Sequence, residues 1–85
     1  MTTIINADNG VSSGSAAHGI ATAASTNRIR LCIGYRYTGV TNTSTFNDPA
    51  DADSITKITW DDTNITAYRT AAGGAATYYV TILYK

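Results

Sequence analysis

From Arg28 to Tyr37 the chain reads RIRLCIGYRY, ten residues in which large apolar side chains alternate with charged or small ones. A period of two places Ile29, Leu31, Ile33, Tyr35 and Tyr37 on one face of an extended strand, and Arg28, Arg30, Cys32, Gly34 and Arg36 on the other. A helix would scatter both sets around its circumference. The remaining composition points the same way: there is no Glu and no Gln, whose straight side chains favour helix, while Thr and Ala are abundant and Tyr occurs six times. The chain is expected to be all-β.

Two further segments read as strands. SITKITW and ITAYR, separated by a turn at Asp61 to Asn64, form a hairpin pattern. After the loop AAGGAA, residues Thr77 to Tyr84 alternate with Tyr78, Val80, Ile82 and Tyr84 on one side and Thr77, Tyr79, Thr81 and Leu83 on the other. Apolar groups on both sides mark that last strand as central or as part of a subunit contact. Residues 38–54 hold turn formers, three aspartates and the only proline, and read as a long loop with Phe46 as its anchor to the core. The alanine-rich Ile20 to Ala24 is read as a short extended stretch, because Gly19 and Thr22 weaken a helix there. These elements predict a small antiparallel β-sandwich or partial barrel over residues 20–85. Residues 1–19, polar and small apart from Ile4 and Ile5, are expected to be an extended N-terminal arm.

A chain of 85 residues sits near the margin of independent stability, since it buries only about 60% of the surface its unfolded form exposes. Its single cysteine, Cys32, makes no intrachain disulfide, and one His with one Cys does not fill a zinc site. Oligomerisation or docking onto a larger assembly is the remaining remedy. Six basic and six acidic residues cancel, so the electrostatic footprint of a nucleic-acid binder is missing. No apolar run is long enough to span a bilayer, and no secretory signal is expected.

The segment INADNGVSSGSA, Ile5 to Ala16, resembles the opening segment of many tailed-bacteriophage structural proteins, particularly tail fibres and other virion components. Their pattern runs I-N-A-D-N-G-V-x-S-G-S-A-G-L, followed by a short β-prone stretch, a polar turn and an alternating strand. Here Gly19 and Ile20 take the place of the Gly-Leu after an insertion of Ala17 and His18, Ser25 to Asn27 the turn, and Ile29 to Ile33 the strand. The match covers about the first third of the chain. The order of later strands also resembles the small jelly-roll or immunoglobulin-like modules that phages place on capsids and tails. The resemblance implies a β-rich virion protein that assembles through symmetric contacts, with no catalytic residues to carry over.

Several residues invite chemical readings. Gly10 to Gly14, GVSSG, matches the serine elbow of α/β-hydrolases, but Ser12 lacks the buried strand before it and the acid-then-histidine order after it. His18, the only histidine, reads as a polar residue in a flexible arm. Asp48, Asp51 and Asp53, with Asp61 or Asp62, supply oxygen ligands at spacings that calcium could use, yet the glycine and terminal Glu of an EF-hand are absent, so they are read as turn caps. No metal and no cofactor are expected. Trp60 is a candidate glycan contact by stacking, against the commoner fate of core packing. Cys32 reads as a small, partly buried residue without an activating neighbour. The sequons at Asn42 and Asn64 arise readily in a Thr-rich chain.

The resulting expectation is a non-enzymatic virion protein, assembled in the host cytoplasm, whose partners are its own copies and the major capsid or tail proteins. A capsid decoration or cement role comes first. A tail, fibre or adaptor component and a carbohydrate-binding adhesion module are the alternatives. The expected assembly contacts are Ile4, Ile5 and Val11 of the arm, inserted into a neighbouring groove, the strand-face arginines Arg28, Arg30 and Arg36, and Tyr79 and Leu83.

Overall fold

The computed structural model describes residues 1–85 throughout and contains six strands: β1 (Thr2–Ala7), β2 (Ser13–Ala17), β3 (Ile29–Tyr37), β4 (Ile55–Trp60), β5 (Asn64–Arg69) and β6 (Ala76–Tyr84). They form two three-stranded antiparallel sheets, in the orders β1-β6-β3 and β2-β5-β4, packed as a small sandwich that is not closed into a barrel. The hairpin expected from SITKITW and ITAYR is β4–β5, and the closing strand with apolar groups on both sides is the central strand of its sheet.

Alternation builds the core. The inward rows are Ile5 and Ala7 of β1, Tyr78, Val80 and Ile82 of β6, and Ile65 and Ala67 of β5, joined by Ile20, Ala23, Ile29 and Ile55. Only 17 of the 85 residues are buried, which leaves a small core for the chain to depend on.

Residues 1–19 are not an arm. Thr2–Ala7 pairs with β6 from Thr2↔Thr81 to Ala7↔Ala76, and Ser13–Ala17 pairs with β5. Ile5 is 0% exposed inside the chain's own core, so it has no free side chain to insert into a neighbour. The small residues that suggested a tether instead let backbones approach. A Cβ built on Gly14 would overlap the carbonyl of Asn6, because β1 and β2 pass almost in contact where the edges of the two sheets meet. Gly10, at φ +84°, occupies the third position of the Asp8–Val11 turn, closed by Val11 N–H donating to Asp8 C=O at 3.3 Å. The GVSSG glycines thus have structural reasons unconnected with nucleophile presentation.

Three other expectations change. Ile20 to Ala24 is not a strand; residues 21–27 are turn, with Thr26 N–H donating to Thr22 C=O (3.0 Å) and Thr22 and Asn27 at positive φ. The carboxylate of Asp62 holds this turn by accepting from the N–H groups of Ala24 (2.9 Å) and Ser25 (2.7 Å). Phe46 is largely exposed, and the 38–54 loop is anchored by its backbone, through bridges Arg36↔Thr43 and Phe46↔Ile55. His18 is buried, with Nε2–H donating to Asp61 C=O (2.8 Å) and Nδ1 accepting from Ile20 N–H (3.0 Å). Both ring nitrogens are thus occupied by backbone partners.

Arg69 continues the inward row of β5 and is almost wholly buried. Its guanidinium donates to Asp53 Oδ1 (2.9 Å) and to the carbonyls of Gly74 (2.6 Å), Gly73 (3.3 Å), Asp8 (3.2 Å) and Val11 (2.5 and 2.9 Å). One side chain therefore satisfies the irregular backbone of the β1–β2 turn and the β5–β6 loop and ties both to the 38–54 loop through the Asp53 carboxylate.

Asp61 Oδ1 caps the β4–β5 turn by accepting from Thr63 N–H (2.8 Å) and Asn64 N–H (2.6 Å). The hydrogen bonds from Asn64 and Thr63 hold its carboxyl below the usual range, and those from Ser25 and Ala24 do the same for Asp62. A depressed carboxylate contributes stability above its unfolded pKa of about 4 and loses it as pH falls through the folded value. Melting temperature is expected to be insensitive to pH near neutrality and to fall on acidification below about pH 4, with a shallower fall in Asp61→Asn/Asp62→Asn. Arg69→Lys, which cannot reproduce the fork of donors, is expected to cost about 3 kcal/mol or more in denaturant melts. Gly14→Ala is expected to lose about 1–3 kcal/mol. Gly74→Ala, with open space at its Cβ, serves as the control and is expected to melt close to the parent chain.

Candidate functional site: the outer face of the β1–β6–β3 sheet

The two sheets present opposite characters to solvent. Outside β2-β5-β4 the side chains are polar: Ser15 and Thr66 share a hydrogen bond of 2.6 Å, and Lys57 Nζ lies 4.6 Å from the centre of the Tyr68 ring. Outside β1-β6-β3 they are mostly apolar, interleaved with Thr2, Thr81, Thr77 and Asn6. There the register aligns Leu31 with Leu83, Ile33 with Thr81 and Thr2, and Tyr35 with Tyr79 and Ile4. Leu83 is 60% exposed, Ile33 54%, Leu31 52% and Ile4 51%. At the start of β3 the exposed Arg30 sits at the bulge beside Leu31.

The cause is a bulge. Between Ile29 and Leu31 the register of β3 against β6 shifts, so Ile29 faces the core while Leu31, Ile33, Tyr35 and Tyr37 face outward. The inward positions after the bulge belong to Cys32, Gly34 and Arg36. An added Cβ at Gly34 would lie 3.1 Å from both Tyr79 O and Val80 Cγ2, a tight approach that favours the smallest residue there. The most apolar row of the most regular strand is thereby turned to solvent over most of its length.

At one end of the face Tyr79 stacks on Tyr37 (centroids 4.4 Å apart, planes 18°) and lies beside Tyr35 (5.7 Å). Burial against these neighbours, then the nearby phenols of Tyr37 and Tyr35, push the Tyr79 hydroxyl above its ordinary pKa. The rings are thus mutually supported, a rigid apolar surface with little side-chain entropy left to lose on contact.

Of the residues expected at an assembly contact, Ile4, Tyr79 and Leu83 come together on this face. Ile5 is core. Val11 is exposed in the β1–β2 turn, off both sheet faces. The three arginines do not form one free row on a strand face. Arg36 pairs with the chain's own Asp53 at 3.1 Å, and Arg28 donates to the carbonyls of Lys85 and Ala21, both at 2.9 Å; only Arg30 is largely exposed. Leu31, Ile33, Tyr35 and Tyr37 complete the outer face. Alternation groups them on one face, but it does not encode the bulge that turns that face outward.

The other chemical candidates are committed elsewhere. Both ring nitrogens of His18 are bonded to backbone, leaving none to accept a proton from Ser12. Asp48 Oδ1 accepts from Ala50 N–H (3.0 Å), Asp51 Oδ1 from Asp53 N–H (3.0 Å), and Asp53 sits between Arg36 and Arg69. No three His, Cys, Asp or Glu side chains converge as ligands. Trp60 is half-buried against the core cluster, and burial pushes the Cys32 thiol up, away from the reactive thiolate. A shallow pocket of about 230 Å³ between Ala17, Gly19, Ile20 and Asp62 has only the capping carboxylate as a charged group. Comparison of the chain with protein-family models, with curated proteins and with solved structures returned no match.

Proposed function

We propose that this chain is a non-enzymatic structural protein of a tailed-phage virion, a capsid decoration or cement protein that assembles by burying the outer face of its β1–β6–β3 sheet. The observation that carries the assembly role is that largely apolar surface, on which Leu83, Ile33, Leu31 and Ile4 are each about half exposed or more. The virion setting rests on the resemblance of Ile5–Ala16 to the opening of phage structural proteins. An insertion mechanism for residues 1–19 is set aside, because those residues are already paired in the sandwich.

The same segment also resembles tail fibres, which keeps a tail or adaptor position as the second reading. Carbohydrate adhesion draws less support, because Trp60, the ring expected to stack on a sugar, is half-buried against the core. Quantitative mass spectrometry of purified particles distinguishes these positions. Decoration predicts a copy number comparable with that of the major capsid protein, and a tail component predicts far fewer copies. Absence of the chain from particles, with the protein present in infected cells, overturns the virion assignment.

A further inference from the structure

We infer that Asn9 is a site of spontaneous deamidation, converted to an acid by attack of the Gly10 backbone nitrogen at a rate set by opening of the β1–β2 turn. The inference goes beyond the assembly role and does not depend on it.

The chemistry is intramolecular. The Gly10 nitrogen gives its proton to water and bonds to Asn9 Cγ, the Cγ–Nδ2 bond breaks, and ammonia leaves a five-membered succinimide. Water then opens the ring at either carbonyl. One opening gives aspartate, and the other gives isoaspartate, in which the main chain runs through the former side chain. Asn9 is the asparagine that a glycine follows; at the others the next residue carries a side chain that crowds the attacking nitrogen. Asn9 and Gly10 are both exposed, and a Cβ on Gly10 would meet nothing within 4 Å, so the ring has room to form and water to reach it.

The fold holds this reaction back. Gly10 N–H donates to Gly73 C=O at 2.7 Å, and a nitrogen that gives up its proton forfeits that bond. The flanking groups are held as well. Asp8 C=O accepts from Val11 N–H (3.3 Å) and from Arg69 Nη2 (3.2 Å), and Arg69 Nη2 also donates to Val11 C=O (2.5 Å) and Gly73 C=O (3.3 Å). The reactive peptide thus sits within the backbone that Arg69 organises, and deamidation proceeds through the population in which that turn has opened.

The product acts back on the fold. Isoaspartate adds one main-chain carbon between the carbonyls of Asp8 and Val11, which a single guanidinium nitrogen binds together, and it places a new carboxylate beside Asp8. The lengthened turn no longer presents both carbonyls to Arg69. Each opening that ends in chemistry therefore leaves a chain that closes less well.

The experiment incubates the purified chain at mildly alkaline pH, folded in buffer and unfolded in urea, and follows amide-to-acid conversion by peptide mass spectrometry. Conversion is expected at Asn9, slower in the folded chain by about tenfold or more, the factor that one backbone hydrogen bond supplies. Conversion at the other asparagines that keeps pace with Asn9 in the unfolded chain overturns the site, and equal Asn9 rates in the two conditions overturn the control by turn opening. Asn9→Asp, which gains the carboxylate on a normal main chain, is expected to melt with the parent. Chains carrying isoaspartate, isolated from the aged sample, are expected to melt lower by about 4 °C or more; melting equal to that of Asn9→Asp overturns the effect on the fold. Asn9→Ser is expected to keep its melting temperature through the same incubation, and a decline matching the parent's overturns Asn9 as its source.

Discussion

The Arg69 guanidinium is the interaction on which the arrangement of the sandwich depends. A small all-β chain must return its backbone from sheet to sheet through irregular loops, and loop carbonyls near the core need donors. Here one side chain supplies them to two loops and forms an ion pair with Asp53, which also binds Arg36. Tyr78 Oη–H donates to the carbonyl of that same Asp53 at 2.8 Å, tying the central strand β6 into the cluster. The chain has neither a disulfide nor a metal centre to hold its connections, and this buried polar hub takes over that task. Such a hub is specific as well as stabilising, because a slipped register would leave a buried charge without its partners.

With the connections held at one end, the sheets are free to differ. The β2-β5-β4 sheet shows water hydroxyls and a lysine, and behaves as an ordinary exterior. The β1-β6-β3 sheet shows water leucine, isoleucine and stacked tyrosine. A chain with so few buried residues gives up a large share of its aliphatic content by exposing that face, and this exposure is what supports the proposed assembly role.

Much of the fold was legible from period-two alternation. The β4–β5 hairpin, the central position of β6 and the extended span of β3 all follow from it. The inward placement of Arg69 was also readable, since Ile65, Ala67 and Arg69 continue one row. What alternation does not encode is phase. The bulge after Ile29 leaves the pattern of RIRLCIGYRY intact while reversing which row meets the core, so an apolar row that looked like an inner face is an outer one. The first two strands were hidden for a different reason. Gly14 and Ala16 contribute little hydrophobic signal, and their value lies in letting β2 approach β1. Phe46 misled in the opposite sense, as a large ring in a loop that is anchored by backbone bridges.

The pairing of β1 with β6 also orders events during folding. Thr2 meets Thr81 and Ala7 meets Ala76, so the sheet that contains β1 forms only when contacts distant in sequence close. By contrast β4 and β5 are joined by the short Asp61-capped turn and pair locally. Until β6 docks, Ile4 and Ile5 lie on an unpaired strand, so the chain is most open to misassociation between closure of the local hairpin and arrival of the central strand that β1 and β3 share.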